Sequence, residues 1–309
     1  MNKVIMSIDA GGTKTKAALI DYDCNIVFER VGGPGSPAVL KEQKAMKNIM
    51  DLIDKVFLEA KDLYEITYIQ MGISALSAVE DKSFYEKFLS GKYNVPVSIE
   101  NDAYMALYSI IQDKYEEGVV VLAGTGSAIC GKNAQGVVDL NGGWGHLLTE
   151  DGSSYRVVID LITKMIEDYE NEREMRPLGK KLLELLDIPD VTRIRVFVYD
   201  STKTEISKYA QFISEEANKG DRDAINILKK AGIDLANRVR KLSRKLGLGS
   251  DGKPFGIGYR GSFIQKASFV KESLQEHLEI FNVNFDVLEG KLDPVFGGFY
   301  IAKSKGVVR

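Results

Sequence analysis

The chain has 309 residues, 44% hydrophobic and 28% charged, enough for about two globular domains with sizeable cores. Its net charge of −3 from interspersed signs argues against a nucleic-acid face, and with only Cys24, Cys130, His146 and His277 a disulfide framework, a histidine metal site or a Ser-His-Asp triad is not expected. No apolar stretch reaches the ~18 residues that span a bilayer, and no signal peptide precedes the first apolar run, so a cytoplasmic enzyme is expected.

The apolar run Val4–Ile8 reads as a buried strand that carries Asp9 out at its end. Gly11-Gly12-Thr13-Lys14-Thr15 follows, then Ala17–Asp21 as a second strand, so the glycines form the turn of a hairpin. Backbone N–H groups at such a turn can approach an anion closely, and the hydroxyls of Thr13 and Thr15 are candidate extra donors. Asp9 is a candidate carboxylate for Mg²⁺ through water, because that ion sheds water reluctantly. The bland alternative is a hairpin whose glycines serve turn geometry alone. The segment is neither a Walker loop nor a dinucleotide fingerprint, since Gly-Lys-Ser/Thr is missing and a strand follows.

Residues 25–31 alternate as a third strand, and Gly32–Pro37 is a loop with strong breakers. Apolar spacing predicts a helix over 39–60, then a strand at 66–74, a helix at 81–91 and a strand at 95–100. Asn101-Asp102-Ala103 opens a helix to about 112, with Asp102 near its N-terminus. A second unit repeats the opening pattern: strand 118–123, tight turn Gly124–Ser127, strand 128–132, turn 133–136 and strand 136–140. Helices are expected over 151–169, 177–186, 203–218 and 221–246, and the basic run Arg238–Lys245 reads as a solvated helix face. A strand at 254–259, Gly261-Ser262, a helix at 267–279 and a strand at 280–286 complete the unit. A last helix starts near 293 with Pro294 in its first turn. The repeat predicts an α/β protein of two copies of one βββαβαβα unit, divided as 1–115 and 116–309, with the last helix a candidate to pack back on the first copy.

Taken in order, these segments resemble the N-acetylglucosamine kinase and BadF/BadG-type ATPase group, in the superfamily of sugar kinases, actin and acetate kinase. Asp9–Thr15 is similar to its first phosphate motif, Asn101-Asp102-Ala103 to its catalytic carboxylate motif, and Gly124–Ser127 to its second phosphate motif. Gly142–Ser153 resembles the glycine-tryptophan segment that closes on the sugar, and 258–262 more loosely resembles the adenosine-side motif. The resemblance implies two ribonuclease-H-like domains with ATP and an acceptor in the cleft between them, and a homodimer.

Phosphoryl transfer to a hydroxyl needs a neutralised triphosphate, an in-line acceptor and a base for its proton. Asp102 is the candidate base, its ionised form favoured by the helix dipole; its bland alternative is an N-cap. The resemblance assigns Gly11, Gly12, Thr13, Lys14, Thr125 and Gly126 to phosphates, Asp9 to Mg²⁺, and Gly261 and Ser262 to the adenosine side. It assigns Ser36, Ser74, Asn101, Gly143, Trp144 and Glu150 to the sugar, although core filling serves equally well for Trp144. Ser36 stands where an asparagine is commoner, and Glu150-Asp151 reverses the usual order, so both touch acceptor identity. The expected reaction is ATP-dependent phosphorylation of an amino sugar at the 6-hydroxyl of N-acetylglucosamine, with N-acetylmuramic acid or glucosamine as alternative acceptors. An ATPase activator of a dehydratase is less expected without cluster-spaced cysteines, a sugar-sensing regulator is less expected with Asp102 intact and the first strand so near residue 1, and an actin-like or chaperone ATPase fits the tryptophan segment less well.

Overall fold

The structure is a computed structural model and describes residues 1–308. It forms two compact units, Met1–Gly118 with Leu288–Arg309, and Val119–Val287. The first contains β1 (Asn2–Ala10), β2 (Thr15–Asp21), β3 (Ile26–Gly32), α1 (Glu42–Ala60), β4 (Tyr64–Ile73), α2 (Lys82–Tyr93), β5 (Val97–Asn101) and α3 (Asp102–Ile111). The second runs through β6 (Gly118–Ala123), β7 (Ser127–Lys132), β8 (Val138–Gly142), α4 (Ser154–Glu170), α5 (Pro177–Leu185), α6 (Ile194–Asp200), α7 (Lys203–Ser207), α8 (Ala210–Asn218), α9 (Arg222–Leu246), β9 (Phe255–Arg260), α10 (Ser262–Lys266), α11 (Ser268–Ile280) and β10 (Phe285–Leu288). The chain then returns to the first unit as α12 (Phe296–Ser304).

The first sheet has the order β3-β2-β1-β4-β5, with β1, β2 and β3 antiparallel and β4 and β5 parallel to β1. Period-two alternation divides β1 between two cores. Val4, Met6 and Ile8 pack with Ile49, Ile53 and Val56 of α1, while Ile5 joins Ala18, Ile20 and Tyr68 against Phe299 and Ala302 of α12. Burial on both faces explains why the run Val4–Ile8 is apolar throughout. Ser7 faces α12, where its hydroxyl donates to the Val295 carbonyl. Gly297 and Gly298 permit this approach, because a Cβ on Gly297 would overlap the Met105 carbonyl and one on Gly298 the Ser7 hydroxyl.

The second sheet has the order β10-β9-β6-β7-β8, which read backwards repeats the first, strand for strand. The expected duplicated α/β fold is therefore present. Several elements differ from the sequence reading. The stretch expected as one helix over 203–218 is two, α7 and α8, and α6 had no sequence signal assigned to it. α11 runs to Ile280, so the last strand begins at Phe285 rather than 280. Pro294 precedes α12 in a turn in which its carbonyl accepts from Gly297 N–H, so it is not a first-turn residue of the helix.

Candidate active site

In the first unit β1 delivers Asp9 and Ala10 to the glycine turn. Ala10 pairs with Thr15, and Gly11 N–H donates to the Lys14 carbonyl at 3.0 Å. Neither Gly11 nor Gly12 has a left-handed φ, so turn geometry does not require glycine there. Close packing favours glycine instead, since a Cβ on Gly12 would stand 3.1 Å from Val39 Cγ2 and one on Gly11 3.3 Å from the Lys14 carbonyl oxygen. Thr13 and Lys14 are exposed. Thr15 corrects the sequence reading: it is buried and its Oγ1 donates to the Gly33 carbonyl at 2.8 Å, so the hydroxyl fastens the 32–37 loop rather than awaiting an anion. Gly35 N–H ties the same loop to the Gly11 carbonyl.

A pocket of about 320 Å³ opens beside this turn, lined by Asp9, Gly12, Thr13, Lys14, Lys16 and Asp293 among others. Burial pushes the Asp9 carboxyl up to about 6, and the carboxylates of Asp102 and Asp293 add to the rise, against the opposing pull of Lys14 and Lys16. Lys16 pairs with Asp293 at 3.1 Å, which leaves Asp9 as the carboxylate there that suits Mg²⁺, an ion that takes one or two carboxylates and retains water. Among the described residues no three His, Cys, Asp or Glu side chains converge as a metal cage.

Asp102 opens α3, yet the cap belongs to its neighbour: Asn101 Oδ1 accepts from Ala103 N–H at 2.9 Å. The N-cap alternative for Asp102 therefore falls to Asn101. Burial raises the Asp102 carboxyl above the usual carboxylate range, outweighing hydrogen bonds from the Ser74 side chain and Ala103 N–H that favour its charged form. Burial thus opposes the pull of the helix terminus on the charged form. Ser36 is buried, and its hydroxyl donates to the Ser74 carbonyl at 3.1 Å. Ser74 N–H donates to the Ala10 carbonyl at 3.0 Å. Hydrogen bonds thus connect Ser36, Ser74 and Asp102 with the end of β1.

In the second unit Gly124–Ser127 is a tight turn, closed by Gly124 N–H donating to the Gly126 carbonyl at 2.9 Å. Both the N–H and the hydroxyl of Ser154, at the start of α4, donate to the Gly124 carbonyl. Glu150 is 5% exposed, and its carboxylate accepts from Ser127 N–H at 2.9 Å and from Lys203 Nζ at 2.8 Å. A Cβ on Gly126 would stand 2.6 Å from Glu150 Oε2, so Glu150 braces the turn from beside it. Lys203, which the sequence reading did not single out, lies 53 residues from its partner and carries no motif. Gly143 has φ +77° and donates its N–H to the Ser127 carbonyl. Trp144 is 71% exposed, which removes the core-filling alternative.

Gly261 caps α10 at φ +106°, and a Cβ there would overlap the Ala123 carbonyl. Backbone contact with the end of β6 thus accounts for glycine at this position. Thr125 and Ser262 line one pocket of about 280 Å³ with Ser154, Thr204, Phe263 and Lys266.

The sequence profile of the BadF/BadG/BcrA/BcrD ATPase family matches residues 7–298. The N-acetylmuramic acid/N-acetylglucosamine kinase of Clostridium acetobutylicum is 26% identical over 98% of this chain and 99% of its own. The N-acetyl-D-glucosamine kinase of Dictyostelium discoideum is 28% identical over 97% and 98%. A crystal structure from Chromobacterium violaceum, provisionally named an N-acetylglucosamine kinase, superposes with a TM-score of 0.68 at 18% identity, covering 96% of this chain and 97% of that one.

Proposed function

We propose, since the chain belongs to the BadF/BadG/BcrA/BcrD ATPase family, that it is an ATP-dependent sugar kinase that phosphorylates the 6-hydroxyl of N-acetylglucosamine. The observation that carries this reading is the Asp102 carboxylate, released from capping by Asn101 and hydrogen-bonded through Ser74. In this reading Asp102 takes the proton of the sugar hydroxyl as its oxygen bonds to the γ-phosphorus. The bond from that phosphorus to its bridging oxygen breaks, and ADP leaves. In this reading the Gly12 N–H with Thr13 and Lys14 in the first unit, and Thr125 and Gly126 in the second, hold phosphate oxygens, while Gly11, its N–H engaged by the Lys14 carbonyl, shapes the turn beside them. Gly261 and Ser262 take the adenosine side, supported by the pocket that Ser262 shares with Thr125. Asp9 would hold Mg²⁺ through water, and the ion when bound neutralises triphosphate charge.

Ser36, Ser74, Asn101, Gly143, Trp144 and Glu150 serve the sugar in this reading. Glu150 acts by bracing the turn and its neighbours, since both its oxygens are already engaged. The same reading divides the chain into working halves at 115/116, with the last helix serving the first half, and takes the protein as a cytoplasmic homodimer. A second acceptor, N-acetylmuramic acid, is favoured by the double name of the Clostridium relative. Phosphorus NMR of the product from Mg-ATP and N-acetylglucosamine tests the assignment. A phosphomonoester coupled to the C6 protons is expected, and inorganic phosphate as the sole product contradicts it.

A further inference from the structure

Arg238 belongs to the run that reads as a solvated basic face, yet it is 8% exposed, whereas Lys241, Arg244 and Lys245 on the same helix are exposed. Burying a guanidinium is costly unless its donors are used. Here all five N–H donors are used. Nη1 donates to Ser127 Oγ at 2.7 Å and to the Asp151 carbonyl at 2.9 Å. Nη2 donates to the Asn141 carbonyl at 2.8 Å and the Ser127 carbonyl at 3.4 Å, and Nε to Asn141 Oδ1 at 3.1 Å. The carboxylates of Asp151, Glu150 and Asp234 support the charge from nearby, but no donor is spent on them.

The three recipients come from three separate stretches. Ser127 ends the second glycine turn, Asn141 lies at the end of β8 just before Gly143 and Trp144, and Asp151 adjoins Glu150. Gly142 gives an independent sign that the backbone is shaped around this group: its φ is +95°, and a Cβ there would overlap Nη2. Ser127 is thus held from two sides, its N–H by Glu150 and its hydroxyl and carbonyl by Arg238.

We propose that Arg238 is a positioning residue that fastens the Gly124–Ser127 turn to the Asn141–Asp151 segment, so that a nucleotide held at the turn and a sugar met by Trp144 are coupled through its guanidinium. The fastening stands on the geometry alone; the coupling rests on the kinase reading above. Rigid hydrogen-bonded networks of this kind carry coupling when both ligands bias the same arrangement.

The test uses the full-length protein as wild type, Arg238→Ala and Arg238→Lys. Hydrogen exchange is read at 124–127 and 141–151, and emission is read during titration with Mg²⁺ and a non-hydrolysable ATP analogue. Trp144 is the only tryptophan of the chain, so its emission reports the fastened segment directly. Arg238→Ala is expected to exchange faster at both stretches while the rest of 119–287 is unchanged, and to lose the nucleotide-induced emission change. KM for nucleotide and sugar should both rise on the order of ten- to a hundred-fold, with partial rescue by guanidinium chloride. Arg238→Lys keeps the charge without the fork, and should shift the same readouts less if Arg238→Ala fails to fold. Wild-type exchange and emission in a folded variant overturn the proposal, as does a uniform rise in exchange with the emission change retained. A wild type that binds no nucleotide overturns the kinase reading and the coupling, while exchange still judges the fastening.

Discussion

Asp102 and Asn101 show how one residue's hydrogen bond sets the chemistry of the next. With the cap supplied by Asn101, removing the Asp102 carboxylate leaves the helix start intact. Asp102→Asn should therefore melt no lower than wild type and bind ATP normally, with kcat reduced by about 10²–10⁴-fold. A variant retaining near-full kcat contradicts the base assignment. The raised Asp102 carboxyl places a loss of kcat on its acid side, the rate falling about tenfold per pH unit below that pKa, and Asp102→Asn should lose this limb. The Asp9 carboxyl is raised as well, and its effect is read in stability. Its folded value of about 6 lies above the unfolded 3.8, so the folded state binds more protons between them. The stabilising contribution is full below the unfolded value and is lost as pH rises through about 6. Asp9→Asn should accordingly stabilise the metal-free protein at pH 8 by up to about 3 kcal/mol, read from urea midpoints, with no gain at pH 4. Equal stability of the two proteins at pH 8 contradicts this. Sequence reasoning reached Asp9 and Asp102 because each ends or follows a strand at a recognisable motif. It could not reach Lys203 or the burial of Arg238, because the ion pair of one and the five acceptors of the other are assembled from segments 53 to 111 residues away.

At the scale of elements, alternation and glycine placement made the hairpin β1–β2, the opening strands of the second unit and the long helices α1 and α9 legible. What failed to show was local competition. The 203–218 stretch carries helical spacing throughout and Thr202 and Glu205 cap its start, yet α7 ends at Ser207 and α8 opens only at Ala210. Pro294 fits a first helical turn by propensity, but the chain needs a further turn there to bring Val295 to Ser7. Thr15 looked like a free hydroxyl because its acceptor, the Gly33 carbonyl, belongs to a loop that sequence does not fold. The closest element contact has the sharpest consequence. Gly297→Ala would drive a methyl into the Met105 carbonyl, forcing α12 from α3 and β1. A loss of roughly 1–3 kcal/mol is expected from overpacking, seen as a lower urea midpoint, whereas Gly136→Ala, with nothing near its Cβ, tests only its φ of +81°. Equal midpoints for Gly297→Ala and wild type contradict the packing account.

For the whole molecule, the repeated strand order is the clearest link between sequence and architecture: one folding unit, written twice, presents a glycine turn after its first strand each time. The relatives match along 97–98% of this chain, so the comparison spans both units. No helix among the described residues is long and apolar enough to cross a membrane. Acceptor identity is the least legible property, because the bonds of Ser36 to Ser74 and of Glu150 to Ser127 and Lys203 join segments that sequence does not order. The most direct test is sugar-dependent ADP release from Mg-ATP across glucose, glucosamine, N-acetylglucosamine, N-acetylmannosamine and N-acetylmuramic acid. Release that depends on an N-acetyl sugar, fastest with N-acetylglucosamine, is the predicted result. ATP binding with no sugar-dependent release across the whole panel contradicts the account.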